Sequence, residues 1–179
     1  MRIFSLDMII DLLQKELHWE TKKLKRNEFL KISGTTDTNV YLVEDGSVRI
    51  FIDDDNEERI IRFGYKGNII VSLDSFLSDK PSEFYIQAIK SSIVKVASRK
   101  DFYTFVSSNV EHLKLWNSIL EDLVLQQIER EKDLLYNSPK IRYERVLKRS
   151  PKLFQEIPNK YIANYLRMSP ETLSRLKKS

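Results

Sequence analysis

The sequence predicts an α+β chain: a jelly roll of short antiparallel strands, then one long helix, then a small all-α unit closed by a helix-turn-helix. Three observations predict this order. Between about residues 19 and 98, runs of β-branched and aromatic residues alternate with turn residues. From residue 111 a helical period is sustained for about 26 residues, roughly 39 Å of helix. The last residues, 157–179, read as two short helices joined by a tight turn.

Element by element, residues 5–17 carry the first helical pattern. Ser5 stands as the cap, and Leu6, Ile9, Ile10, Leu13 and Leu17 fall on one face. The runs 40–43 and 48–52, joined through Glu44-Asp45-Gly46-Ser47, form the expected first hairpin, because Asp-Gly supplies positive φ angles. The acidic run 53–58 makes a second turn into 59–63. Gly64 and Gly67 punctuate the next turn, 69–71 follows, and 84–97 supplies two more strands. Residues 101–106 read as a short helix. The long helix then runs over 111–136, and its apolar positions Leu113, Trp116, Leu120, Leu123, Ile128 and Leu135 suggest one stripe for its own roll and another for a partner's equivalent helix. Ser138-Pro139 ends it. The expected domains are residues 1–110, 111–137 and 138–179.

In the closing segment Ser169-Pro170 opens the second helix. Serine is a preferred N-cap, and proline is preferred at the next position, where its missing N–H costs nothing. Ile162, Ala163 and Leu166 face inward from the first helix, Leu173 and Leu176 from the second. Small Ala163 permits the close crossing. Ser169, Pro170, Glu171, Thr172, Ser174, Arg175, Lys177 and Lys178 remain outward, where side chains can reach base edges and phosphates of double-stranded DNA.

Charge distribution agrees. Residues 138–179 hold eleven Lys or Arg against three Glu, a net +8 that leaves −4 for the rest of a chain whose total is +4. A basic terminal unit on an acidic body is the footprint of a phosphate-binding module. Absence of cysteine excludes disulfides and thiolate metal sites, and no apolar run reaches the ~20 residues a bilayer span needs. With no cleavage-type signal at the start, the expected compartment is the cytoplasm and no membrane partner is expected. The two histidines, His18 and His112, lie outside the expected roll and read as surface residues, so jelly-roll metal chemistry has no ligand set. Asp53-Asp54-Asp55 lacks the glycine and spaced glutamate of a calcium loop. No enzyme motif and no cofactor is predicted.

The order of elements, with Glu44-Asp-Gly-Ser-Val-Arg49, Lys66-Gly-Asn-Ile-Ile70, Pro81-Ser82, Gln87-Ala88, Ile162-Ala163 and Ser169-Pro-Glu-Thr-Leu-Ser-Arg175, resembles the cyclic-AMP receptor protein/Fnr (Crp/Fnr) superfamily of bacterial transcription regulators. The short form resembles the Crp-like regulators of the Bacteroidetes group. The resemblance implies a double-stranded β-helix of the cyclic-nucleotide-binding type, a dimerisation helix carrying Trp116, Leu120, Leu123 and Ile128, and a homodimer that binds DNA and meets RNA polymerase. It places Glu171 and Arg175 toward bases, and Ser169 and Thr172 toward phosphates. Pro170 replaces a family arginine, Arg167 replaces the turn glycine, and the usual β wing has no room.

The ligand motifs depart further. Val71-Ser72 stand in place of the family's Gly-Glu pair and Pro81-Ser82 in place of Arg-Ser, so a cyclic phosphate would lose a charge-assisted pair worth about 1.5–3 kcal/mol. Tight cyclic-AMP binding is therefore not expected. The roll would hold another small-molecule effector, near Ser72, Ser82, Tyr85 and Gln87, or none. A dimeric small-ligand sensor or scaffold with little specific DNA binding is the alternative that Pro170, Arg167 and the missing wing leave open.

Overall fold

The computed structural model describes residues 6–55 and 57–178. Ser5, the expected first cap, lies outside them. Eight strands form two four-stranded antiparallel sheets. They are β1 (Glu20–Leu24), β2 (Phe29–Lys31), β3 (Val40–Asp45), β4 (Ser47–Asp54), β5 (Glu57–Tyr65), β6 (Ile69–Val71), β7 (Tyr85–Ala88) and β8 (Ser92–Ala97). One sheet has the order β1-β8-β3-β6, the other β2-β7-β4-β5. Their inner faces meet through Leu24, Tyr41, Val43, Val48, Ile50, Ile70, Ile86, Ala88 and Val94, giving a jelly-roll-like barrel with a closed apolar interior.

The expected hairpin over 40–52 is corrected. β3 and β4 lie in different sheets and do not pair. Gly46 (φ +87°) turns the chain across the corner, where a Cβ would stand 2.2 Å from Ser92 Oγ. That close approach, and not a two-residue hairpin turn, requires the glycine. The true hairpin is β4–β5, whose ladder runs from Ser47↔Tyr65 to Asp54↔Glu57 and so reaches well into the acidic run. Gly64 is not in a turn either. It sits inside β5, where Ile70 and Val48 leave no room for a side chain.

The helices are α1 (Leu6–Glu16), α2 (Leu73–Ser78), α3 (Arg99–Ser107), α4 (Val110–Leu135), α5 (Pro139–Arg149), α6 (Leu153–Glu156), α7 (Asn159–Tyr165) and α8 (Pro170–Leu176). Asn109 caps α4 by accepting from His112 N–H at 2.8 Å. His112 itself is half-buried at the α3–α4 corner, stacked on Phe105 at 4.0 Å and bonded to Ser108, so it is a packing residue and not the surface residue expected. Leu13, Leu17, Phe76, Phe102, Phe105 and Leu115 gather α1 to α4 against the Val40–Ala97 end of the first sheet.

The second sheet is covered on both faces. Phe51, Ile60, Phe63 and Ile89 point away from the roll interior and join Val146, Leu153, Ile157, Ile162, Ala163, Leu166 and Leu173 in one core. Full burial of such side chains contributes about 1.5–3 kcal/mol each. At its edge, Asn164 of α7 accepts from Ile60 N–H at 2.9 Å and donates to the Glu58 carbonyl at 2.7 Å. The basic terminal unit therefore packs on the roll directly, as well as following it through α4.

Candidate nucleic-acid interface and roll interior

α7 and α8 cross with Ile162, Ala163, Leu166 and Leu173 fully buried between them and the roll. Leu176 is only half-buried. Ser138 caps α5 and Ser169 caps α8, each with proline following. Ser169 Oγ accepts from Thr172 N–H at 3.2 Å. In the turn, Arg167 takes φ +54°, a left-handed conformation that costs a non-glycine residue some strain. Arg142 of α5 supports that turn. Its guanidinium donates to the carbonyls of Leu166 (2.8 Å), Arg167 (2.9 Å), Tyr136 (2.6 Å) and Asn137 (3.0 Å). A planar five-donor fork suits such a cluster of acceptors.

Ser169, Pro170, Glu171, Ser174, Arg175, Lys177 and Lys178 are exposed, and Thr172 is half-buried. Arg175 donates to Thr172 Oγ1 at 3.4 Å. Lys177 donates to Asn159 at 2.9 Å. The Glu171 carboxyl is held below its usual range, first by its own backbone N–H and then by the Ser169 hydroxyl, so it stays ionised at the start of α8. The result is a short helix with its apolar side seated and a mixed, mainly cationic side free.

α4 is joined to this unit by charge. The fully buried Asp133 carboxylate accepts from Arg145 Nε at 2.8 Å and also from Arg149. Arg130 lies 3.7 Å over the Tyr165 ring and donates to the Tyr165 carbonyl. Along α4 the expected seam divides. Trp116 packs edge-on against Phe102 at 5.1 Å in its own roll domain, whereas Ile128 is exposed and Leu120 and Leu123 are half-buried. Val124 and Leu125, 58% exposed each, extend the uncovered apolar side and were not part of the sequence seam.

Of the six residues expected around a roll ligand, the structure brings only Ser72 and Ser82 together. Both are buried. Val71 pairs with Val40 and packs toward the helices. Pro81 is exposed. Tyr85 and Gln87 lie on the outer face of the second sheet. Tyr85 stacks on Phe51 at 5.1 Å, and Gln87 accepts from Arg49 at 2.7 Å beside the Arg49–Glu58 ion pair. The reason is register: Ile86 and Ala88 take the inner positions, and strand alternation sends their neighbours outward.

Around Ser72 and Ser82 two charges missed by sequence reasoning complete a rim. Asp74 accepts from Ser72 Oγ at 3.1 Å. Burial raises its pKa, but hydrogen bonds from Ser82, the Ser75 backbone N–H and Ser72 outweigh this and hold the carboxyl below its usual range. Lys31 is buried, with its ammonium donating to the carbonyls of Ile32 (3.1 Å), Ser82 (3.2 Å) and Phe84 (2.7 Å). Burial lowers its pKa, partly offset by Asp74 and Asp37. Three protons meet three carbonyls, so its donors are used up. Among the described residues no group of three or more His, Asp or Glu is placed to hold a metal ion, and no helix is long and apolar enough to cross a membrane.

The family model of the cyclic nucleotide-binding domain matches residues 21–109. None of the curated proteins matches the chain by sequence. Among solved structures, a CooA mutant from Carboxydothermus hydrogenoformans is similar at TM-score 0.72 and 16% identity, over 99% of this chain and 79% of that one. FixK2 from Bradyrhizobium japonicum is similar at TM-score 0.72 and 20% identity, over 90% and 84%. The c-di-GMP-responsive global regulator CLP from Xanthomonas campestris is similar at TM-score 0.65 and 15% identity, over 95% and 89%. At these identities the likeness is one of fold.

Proposed function

The chain carries a cyclic nucleotide-binding domain in a Crp/Fnr-type fold, and from that premise we propose that it is a sequence-specific DNA-binding transcription regulator. The observation that carries the reading is α8: Leu173 is seated, while Glu171, Ser174, Arg175, Lys177 and Lys178 face solvent on the most basic part of the chain. Arg175 is assigned to a guanine edge and Glu171 to a cytosine amine, with Ser169, Thr172, Lys177 and Lys178 on phosphates.

A homodimer is part of the reading. Leu113, Leu120, Val124 and Ile128 lie along one side of α4, and pairing that side with a second copy removes it from water. Trp116 is excluded, since its own domain already uses it. Two recognition helices so joined would meet half-sites about 34 Å apart. The regulator would act in the cytoplasm on transcription by RNA polymerase. Ile128→Glu, which places a charge in the seam, is expected to give monomers in sedimentation.

The effector pocket is read as degenerate. The cation near Ser82 is committed to carbonyls, and the Asp74 carboxylate over Ser72 and Ser82 would repel a cyclic phosphate. The test is selection of bound duplexes from a random pool near physiological salt, without and then with cyclic AMP. A palindromic consensus without the nucleotide is the expected result. A consensus only with it would overturn the pocket reading, and no enrichment in either would favour the sensor or scaffold.

A further inference from the structure

A cleft of about 260 Å³ opens between the roll and the terminal unit, away from the roll interior and from α8. Arg26, Ile89 and Lys90 line it from the β1–β2 and β7–β8 connections; Glu156, Pro158, Lys160 and Tyr161 line it from the α6–α7 side. Its floor is apolar: Ile89 is buried, and the Tyr161 ring is fixed with the Arg49 guanidinium 4.9 Å from its centroid. Its rim holds three cations against one carboxylate. Those cations are weakly committed. Lys90 reaches Glu156 at 3.5 Å, the long limit of a hydrogen bond. Lys160 rests over the Tyr161 ring at 4.6 Å. Arg26 makes no hydrogen bond or ion pair among the described residues.

We propose that this cleft binds a small aromatic anion, of mononucleotide size or less, with its ring on Ile89, Pro158 and Tyr161 and its phosphate or carboxylate among Arg26, Lys90 and Lys160. Concave apolar walls with a few convergent polar groups are the usual form of a small-ligand site, and the volume falls just below the usual ~300–1,000 Å³, which suits a small ligand. Charge-assisted bonds from lysine and arginine supply orientation. A tyrosine-walled floor with a cationic rim also disfavours purely apolar or cationic ligands. Since the walls come from both bodies, an occupant holds the terminal unit on the roll and so fixes the position of α8. Binding here depends on the docked arrangement and not on any property of DNA.

The probes are adenosine 5′-monophosphate, benzoate and inorganic phosphate, titrated into the ¹⁵N-labelled 179-residue chain without DNA. With adenosine monophosphate or benzoate, backbone amide shifts are expected to centre on Ile89, Lys90, Lys160 and Tyr161. Lys90→Ala and Lys160→Ala, both exposed positions, should each weaken binding by about 3- to 10-fold while leaving the rest of the spectrum intact. Ser82→Ala should leave the affinity unchanged. The proposal is overturned if no probe shifts these residues, if the lysine variants bind as tightly as the parent, if phosphate alone reproduces the effect, or if the shifts centre on Ser72 and Ser82.

Discussion

Two arginines of the terminal unit, Arg142 and Arg175, have the same chemistry and opposite surroundings. Arg142 is buried and gives its donors to four backbone carbonyls. Arg175 is exposed, and its guanidinium donates to the Thr172 hydroxyl at 3.4 Å. The same contrast separates the rim of the roll from the solvent face of α8. At the rim, Lys31, Asp74, Ser72 and Ser82 satisfy one another or nearby backbone. Around α8 the polar groups make only local bonds, such as Arg175 to Thr172 and Lys177 to Asn159, and stay exposed with donors to spare. Unused hydrogen-bonding capacity, more than residue type, distinguishes a surface made for binding from one made for holding a fold together.

Replacement of Arg142 tests the inward side most severely. Arg142→Ala leaves four carbonyls without their donor and should lower stability by about 2–4 kcal/mol, read from the urea midpoint at constant m-value. A loss under about 0.5 kcal/mol would mean that water replaces the guanidinium and that the contrast is false. On the outward side, Arg175→Ala should weaken binding to the selected duplex by about 1–3 kcal/mol and relax preference at one base pair, while stability changes by no more than about 0.5 kcal/mol. Equal losses on every duplex would reassign Arg175 to a phosphate.

Smaller effects sharpen the same line. Ser169→Ala removes the α8 cap and should cost about 1 kcal/mol of stability, within a range of about 0.5–2. Asp74→Asn probes the rim, and the sign follows from linkage. The folded carboxyl titrates below its unfolded value, so its contribution is present above the usual carboxylate range and is lost as pH falls through the folded pKa. Because Asp74 is exposed, the parent should exceed the variant by only a few tenths of a kcal/mol at neutral pH. That difference should vanish in urea melts in acid; one that instead grew in acid would reverse the assignment of Asp74.

Much of the fold was legible in the residues. The long helix is displaced by a single residue from its expected span, and Ser169-Pro170 opens α8 as expected, whereas Ser138-Pro139, read as the end of the long helix, also caps α5. What was not legible has a common cause. Strand periodicity tells which residues share a face, but not which face is the interior. Here the second sheet is buried on both sides, so Tyr85 and Gln87 read as interior residues while lying on its outer face, against Phe51 and Arg49. β3 and β4 alternate like a hairpin, yet the pattern carries no sign that Gly46 sends the chain to another sheet. Trp116 fits a partner-facing heptad equally well until Phe102 is placed beside it. Long-range anchors such as Asn164 and Lys31 had no local signature, since their partners lie in distant parts of the chain.

Asn164 has a further consequence. β5 closes one side of its sheet, and a bare outermost strand with unpaired amides and carbonyls is a template on which other chains can add. The amide of Asn164 occupies one such pair of backbone groups, and the helix bearing it screens Phe51, Ile60 and Phe63. Cutting the terminal unit away would bare a sticky margin and a greasy face together. The roll without its companion is thus expected to self-associate and precipitate, so the terminal unit also serves as an intramolecular guard for the roll's solubility.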